Sequence, residues 1–336
     1  FDLIIIDEAH YIKNAQAQRT KLINDITKSV DRLWLLTGTP MTSRPIDYFN
    51  LLSLIDSPVA KNWMAYVIRY CAGFQFKVGP RKIWNVQGAS NLEELRDRTA
   101  GLTLRRLKEN VLDLPDKIIT PVYLRLKSKV YEEVMGDYYN WYEKNPEESK
   151  SLTVQFTKLT KVRQIIADEK ISQTIEIAEN IIEQDKKVII FCNFTDSLNK
   201  ITEHFGKAAV KLDGSMSKHE RQFSVDQFQE NDKVKVFVGN IKAAGVGITL
   251  TSAEAVIFND LSFLPSDHVQ AEDRAYRYGQ KNNVLVYYPI FENTIEGIIY
   301  DILHNKKQVI ATVMGDNQNT ADAAEEILKR INEMRR

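Results

Sequence analysis

The stretch that decides the fold is Leu3-Ile4-Ile5-Ile6-Asp7-Glu8-Ala9-His10. Four consecutive apolar residues, three of them β-branched, read as a fully buried strand, and two carboxylates follow at its C-terminal end. Open α/β sheets bind their ligands at that edge, where a pair of carboxylates can hold magnesium and orient a water. The pair would also serve as a helix N-cap. The strand before it and Ala9-His10 after it favour chemistry.

Working outward, the second informative stretch is Gln270-Ala271-Glu272-Asp273-Arg274-Ala275-Tyr276-Arg277-Tyr278-Gly279-Gln280. On a predicted helix near 267 to 277, Arg274 and Arg277 lie three apart and share a face, a form suited to stabilising charge on a transferring γ-phosphoryl group. The plain alternative is a solvated helix face, or an ion pair with Glu272 or Asp273. Read together, the two stretches supply two sides of one nucleotide site.

Length and composition bound the rest. The chain has 336 residues with 43% hydrophobic content, enough for two modest cores. Lys plus Arg and Asp plus Glu are 45 each, so no global positive field advertises a nucleic-acid partner, and any DNA contacts are local. Two cysteines, Cys71 and Cys192, exclude a disulfide framework, and five histidines lack metal-ligand spacing. No apolar run reaches transmembrane length and no signal peptide is present, which predicts an intracellular protein without a membrane partner: cytoplasm or nucleoid in a prokaryote or virus, nucleus in a eukaryote.

The periodicity predicts a helix near 14 to 28 with Leu22, Ile23 and Ile26 on one face, a strand at 32 to 36 and a helix near 46 to 55 ended by Pro58. Residues 60 to 110 read as helical with a Gly/Pro-containing interruption at Gly73 to Pro80. Helices are expected at about 127 to 145 and 150 to 167, split by Asn145-Pro146. Short apolar strands near 187 to 192, 209 to 212, 234 to 239, 255 to 259 and 284 to 290 then alternate with helices, the pattern of a parallel α/β sheet. A helix at 294 to 313 and a charged helix from Thr320 to Arg336 complete the chain. The stripe of Tyr138, Tyr139, Trp141 and Tyr142 reads as core rather than a base-stacking platform.

Further motifs fall in a telling order: Leu36-Thr37-Gly38-Thr39-Pro40, Val188-Ile189-Ile190-Phe191, Leu212-Asp213-Gly214-Ser215, and Ala243-Ala244-Gly245-Val246-Gly247-Ile248-Thr249-Leu250-Thr251. With the two opening stretches, this ordered set resembles the SWI/SNF-type branch of superfamily-two helicase-like ATPases, which are DNA translocases. Tyr70-Cys71-Ala72, Gly88 to Leu95, Leu104 to Lys108 and Ser43-Arg44-Pro45-Ile46 resemble the annealing-helicase (HARP-like) subgroup, which acts on branched or forked DNA. Tyr276 departs from the family, which usually has His between the two arginines.

The resemblance implies an α/β fold of two RecA-like lobes, the first partial, with helical protrusions. Residues 1–115 would form the C-terminal part of lobe 1 with its protrusion. Residues 116–314 would form lobe 2 with a protrusion at about 121–168 and a brace helix, and 315–336 a helical tail. It implies ATP and magnesium as cofactors and double-stranded or forked DNA as partner. Asp7, Glu8, Arg274 and Arg277 would be catalytic. His10, coupling the site to Thr37 and Thr39, would serve the nucleotide together with Gly245, Gly247, Gln270 and Asp273. Thr39, Asn193, Ser215, Arg221, Lys242 and Thr251 would contact DNA phosphates, although Asp213-Gly214-Ser215 is also a good turn on composition alone. Gly245 and Gly247 either allow close backbone approach or permit a tight turn. Arg105 and Arg106 fit the approach to the interlobe linker.

No Gly-x-x-x-x-Gly-Lys-Ser/Thr occurs, and Gly206-Lys207 reads as a helix C-cap. Phosphate cradling in these ATPases uses that loop, so the chain is expected to be a piece cut from inside lobe 1 and inactive by itself. A strand-separating DNA or RNA helicase and a non-catalytic DNA-binding scaffold are the alternatives.

Overall fold

The computed structural model describes residues 1–38, 45–78, 81–86, 88–104, 106, 111–244, 247–263, 265–303 and 320–334. The chain divides into two compact units, one built from Phe1–Leu107 and the other from Lys108–Lys307 with Ala323–Arg336. The fold is mixed α/β, as the strand and helix alternation predicts. Among the described residues no helix is long and apolar enough to cross a membrane.

In the first unit β1 (Ile4–Ile6) pairs in parallel with β2 (Leu33–Leu35) across the crossover helix α1 (Gln18–Thr27). Ile6 and Leu35 pack on Ala9, Ile12 and Leu51. Ile5 and Trp34, opposite each other on the other face, are 51% and 58% exposed. The strand is therefore not fully buried. Side chains alternate along it, and only one face of this two-stranded sheet is covered. For the same reason α1 half-buries Ile23 but leaves Leu22 and Ile26 in solvent.

Helices α2 (Pro45–Leu54), α3 (Trp63–Tyr70) and α4 (Leu92–Thr99) gather a second small core around Leu52, Tyr66, Tyr70 and Leu95. Asn62 caps α3 by accepting from the Ala65 N–H at 3.0 Å. The interruption between α3 and α4 is a β-hairpin, β3 (Phe74–Val78) antiparallel to β4 (Arg81–Asn85). Alternating aromatic, lysine and β-branched residues suit a pleated ribbon better than a loop.

The second unit carries six parallel strands in the order β5-β10-β9-β6-β8-β7: β5 (Lys117–Arg125), β6 (Lys187–Cys192), β7 (Ala209–Leu212), β8 (Val236–Asn240), β9 (Ala253–Phe258) and β10 (Val284–Glu292). Every residue of β6 is buried. Ile189 and Phe191 face one core and Val188, Ile190 and Cys192 the other, so helices cover both faces. Strand β5 is absent from the sequence reading, which began a helical protrusion near residue 121. Pro121 within a run argues against a central strand. Pairing only with β10, β5 lies at the sheet edge, where a missing N–H is tolerated.

Helices α5 (Lys129–Lys144) and α6 (Leu152–Glu169) follow, each with a serine N-cap, Ser128 and Ser151. Next come α7 (Ile171–Ile182), α8 (Thr195–Phe205), α9 (Lys218–Glu230), α10 (Ile241–Ala244), α11 (Pro265–Ala275) and the helical residues 295–303. Gly206 closes α8 at φ 50, ψ −120, a positive-φ conformation open to glycine. Helix α12 (Thr320–Glu333) buries Ile327, Leu328 and Ile331 in the core that also holds Met135 and Tyr138. The Tyr138 hydroxyl lies 3.1 Å from both Asn332 Oδ1 and Gln155 Oε1, sharing its one proton between them. The aromatic stripe is core.

A buried ion pair pins the helices to the sheet. Lys170, between α6 and α7, meets Glu296, whose other oxygen accepts the Phe291 N–H at 3.2 Å. Removing the lysine strands a buried carboxylate. Lys170→Met is expected to destabilise this unit by about 3–5 kcal/mol at neutral pH in urea denaturation. Burial already holds the Glu296 carboxyl above the usual range, so the loss should shrink as pH falls and Glu296 takes up a proton. A penalty independent of pH would show that the charge is not its source.

Candidate nucleotide and DNA sites

In the first unit the end of β1 delivers the carboxylates. The Leu36 N–H donates to the Ile6 carbonyl at 2.8 Å and the Ala9 N–H to the Leu36 carbonyl at 2.9 Å, tying the acidic turn to the Leu36-Thr37-Gly38 strand end. Glu8 sits at φ 49, ψ 45, a conformation uncommon for a residue with a Cβ. Its own N–H donates to Asp7 Oδ1 at 2.8 Å, which offsets part of that strain. Such outliers gather at functional sites.

His10 Nδ1 lies 3.2 Å from Thr37 Oγ1 and 3.2 Å from Glu8 Oε2. The expected contact with Thr37 is thus present, whereas Thr39 lies outside the described residues. Burial lowers the imidazole pKa, opposed by the Glu8 charge and assisted by Lys13. The ring is therefore neutral at pH 7. Because a carboxylate only accepts, the neutral tautomer that satisfies Glu8 carries its proton on Nδ1. Asp7 is exposed and Glu8 half-buried, so both remain open to a ligand.

In the second unit α11 ends at Ala275, so Arg274 lies in its last turn and Arg277 just beyond it. The two arginines do not share a helical face by periodicity. They converge nonetheless: each donates an NH1 proton to the Ile248 carbonyl at 3.2 Å. Arg274 is further fixed by Nε to the Gln270 carbonyl at 3.0 Å, and its own carbonyl accepts the Leu250 N–H at 2.9 Å. Gly247, at φ 73 with open space where a Cβ would stand, begins the loop that presents Ile248. Gly245 lies outside the described residues. The two guanidiniums thus share one acceptor beside this loop.

The supports of that site went unread in the sequence. Glu272 is fully buried and accepts from Lys117 Nζ and the Tyr288 hydroxyl, both at 2.7 Å. Burial opposes the Lys117 charge, but Glu272 overcomes it and raises the lysine pKa. Lys117 also stands 5.3 Å from the Tyr276 ring centroid, a cation–π contact that gives the departing tyrosine a structural place. Gln280 Nε2 lies within 3.2 Å of the Thr251, Ala253 and Ala275 carbonyls, sharing its two protons among them, and Oε1 accepts the Lys281 and Asn282 N–H groups. Both Glu272 and Gln280 stand in the Gln270 to Gln280 stretch. Their burial, the missing signal, comes only from packing. Gln270 and Asp273 are half-buried on α11.

The parallel sheet collects several DNA-contact candidates at its C-terminal edge. Asn193 follows β6, Lys242 follows β8 and Ser215 follows β7. The Asn193 N–H donates to buried Asp260 at 2.9 Å and its carbonyl accepts from Asn240 Nδ2 at 3.0 Å. Asn240 Oδ1 in turn accepts the Lys242 N–H at 3.1 Å, which leaves the lysine side chain exposed. Ser215 donates to Asp213 Oδ1 at 2.5 Å, a bond that lowers the Asp213 pKa. Arg221 braces the turn through the Met216 and Gly214 carbonyls. Thr251 does not join them. It precedes β9, at the opposite end of the sheet, where its hydroxyl accepts from Gln229 at 3.3 Å.

The SNF2-related domain matches residues 1–204 and the helicase conserved C-terminal domain residues 169–279. The chain is 35% identical over 338 residues to a Caenorhabditis elegans protein named SWI/SNF-related matrix-associated actin-dependent regulator of chromatin subfamily A-like protein 1 homolog, covering 95% of this chain and 47% of that protein. It is 31% identical over 332 residues to the human DNA annealing helicase and endonuclease ZRANB3, covering 97% and 31%. The chain thus spans less than half the length of these relatives. A solved Sulfolobus solfataricus SWI2/SNF2 ATPase core in complex with dsDNA superposes with a TM-score of 0.53 at 26% identity, over 99% of this chain and 72% of that one. With ordered motifs, a six-stranded parallel sheet and a domain match over more than half its length, the chain belongs to the SNF2-related family of helicase-like ATPases.

Proposed function

We propose that the protein is an ATP-driven translocase on double-stranded DNA and that forked DNA is its substrate. The observation that carries this reading is the convergence of Arg274 and Arg277 on one carbonyl beside the Gly247 loop, which gathers two planar donors where one phosphate can meet both. Glu8 is assigned to orient the attacking water and His10, neutral and bonded to Thr37, to hold Glu8 in place. Asp7 is exposed with Oδ1 engaged by the Glu8 N–H, and its hard oxygen donors fit magnesium held through water. The metal, when bound with ATP, neutralises phosphate charge.

Asn193, Ser215 and Lys242 at one sheet edge are assigned to DNA phosphates, which position a duplex without reading its sequence. The 336 residues lack the phosphate loop and are assigned no turnover of their own, so the test uses the complete protein. ATP hydrolysis should be stimulated by duplex DNA, with binding that weakens steeply as salt rises. Preferential stimulation by RNA would replace the reading with a helicase one. DNA binding without any turnover would leave a scaffold.

A further inference from the structure

The hairpin β3-β4 is not used by the mechanism above, and its two faces are chemically unlike. On one face Phe74, Phe76 and Ile83 are 56%, 41% and 44% exposed, the two phenyl rings 6.4 Å apart. On the other, Lys77 stands directly across the ladder from Lys82. Like charges opposite each other destabilise a two-stranded ribbon, which is already marginal in water. Among the described residues neither lysine has an acidic partner. The sequence from Gly73 to Asn91 contains Lys77, Arg81 and Lys82 and no Asp or Glu, although the whole chain is neutral. Trp84 anchors the ribbon's base, packing edge-on against Trp63 at 5.9 Å.

Exposed rings side by side and locally unopposed cations match unpaired nucleic acid, where bases stack on aromatic faces and phosphates meet lysines. We propose that this hairpin is a fork-reading wedge: Phe74 and Phe76 take unpaired bases of one DNA strand while Lys77 and Lys82 meet phosphates. The partner is identified by charge complementarity together with the exposed ring pair, since a polyanion that also offers flat bases uses both the lysines and the phenyl faces. This inference rests on the forked-DNA reading above.

The test measures binding of the 336-residue chain to a labelled duplex and to the same duplex with a single-stranded arm. Tighter binding to the armed DNA is expected. Phe74→Leu with Phe76→Leu keeps the apolar volume but removes the ring faces, and should weaken armed-DNA binding about ten-fold while leaving duplex binding within about two-fold. Lys77→Glu with Lys82→Glu should also weaken armed-DNA binding, and more so at low salt. Tryptophan fluorescence of the Trp63–Trp84 pair reports whether the ribbon stays folded. If duplex is bound but the arm adds nothing, or if the leucine pair binds the arm like the parent chain, the wedge is overturned and the duplex reading stands. If neither DNA is bound, the wedge is overturned, and the duplex reading is decided by the complete protein. Should the leucine pair unfold the ribbon, tyrosine at both positions keeps ring faces and must retain arm binding, or the wedge is overturned.

Discussion

Arg277→Lys in the complete protein is expected to lower ATP turnover by about 10³-fold, at the low end of what an arginine finger contributes. Arg277 already spends one N–H on the Ile248 carbonyl. A guanidinium can make that bond and still direct a planar pair of donors at a phosphate, whereas an ammonium on a shorter reach satisfies one or the other. Steady-state hydrolysis and duplex binding should therefore separate: the first collapses and the second stays within about two-fold. Retention of a tenth of the parent rate would remove Arg277 from the phosphate. Arg274→Ala should combine a similar catalytic loss with loosening of the end of α11, because its Nε and NH1 also tie the Gln270 and Ile248 carbonyls.

Glu8→Gln should keep nucleotide binding and reduce hydrolysis by about 10²- to 10⁴-fold, the range of a positioned general base. The amide is nearly isosteric, and its oxygen can still accept from His10 Nδ1, now 3.2 Å away. The left-handed turn at Glu8 and the β1 edge are thus preserved while the charge that organises water is lost. Nucleotide affinity measured by fluorescence, set beside single-turnover hydrolysis, distinguishes this from misfolding. Equal loss of both would mean that Glu8 acts as a scaffold for the turn.

Much of this was legible one residue at a time. Carboxylates after an apolar run, glycines in the Gly245 to Gly247 loop and arginines near 274 and 277 are local signals, because a strand or helix repeats its chemistry every two or four residues. The alternation of short apolar strands with helices likewise predicted a parallel sheet, and β6 is buried along its whole length as such a run requires. Gly206 read correctly as a helix cap because only local backbone geometry was at stake.

What distance in sequence conceals, the tertiary structure decided. Arg274 and Arg277 meet through the Ile248 carbonyl, not through helix periodicity. Thr251 stands at the opposite end of the sheet from Asn193, Ser215 and Lys242, because a chain crossing back from β8 to β9 must traverse the whole strand length. Pro121 sits in a strand because β10 occupies only one of its sides. Glu272 is tolerated fully buried because Lys117 and Tyr288 arrive from elsewhere in the chain. The sequence by itself determined the fold class, the family and the chemical identity of the candidate site residues, since those rest on residue type and short-range order. Which of these groups stand together, and which face of each strand is covered, depended on the pairing of distant segments, whose register and burial are set by packing rather than by neighbours along the chain.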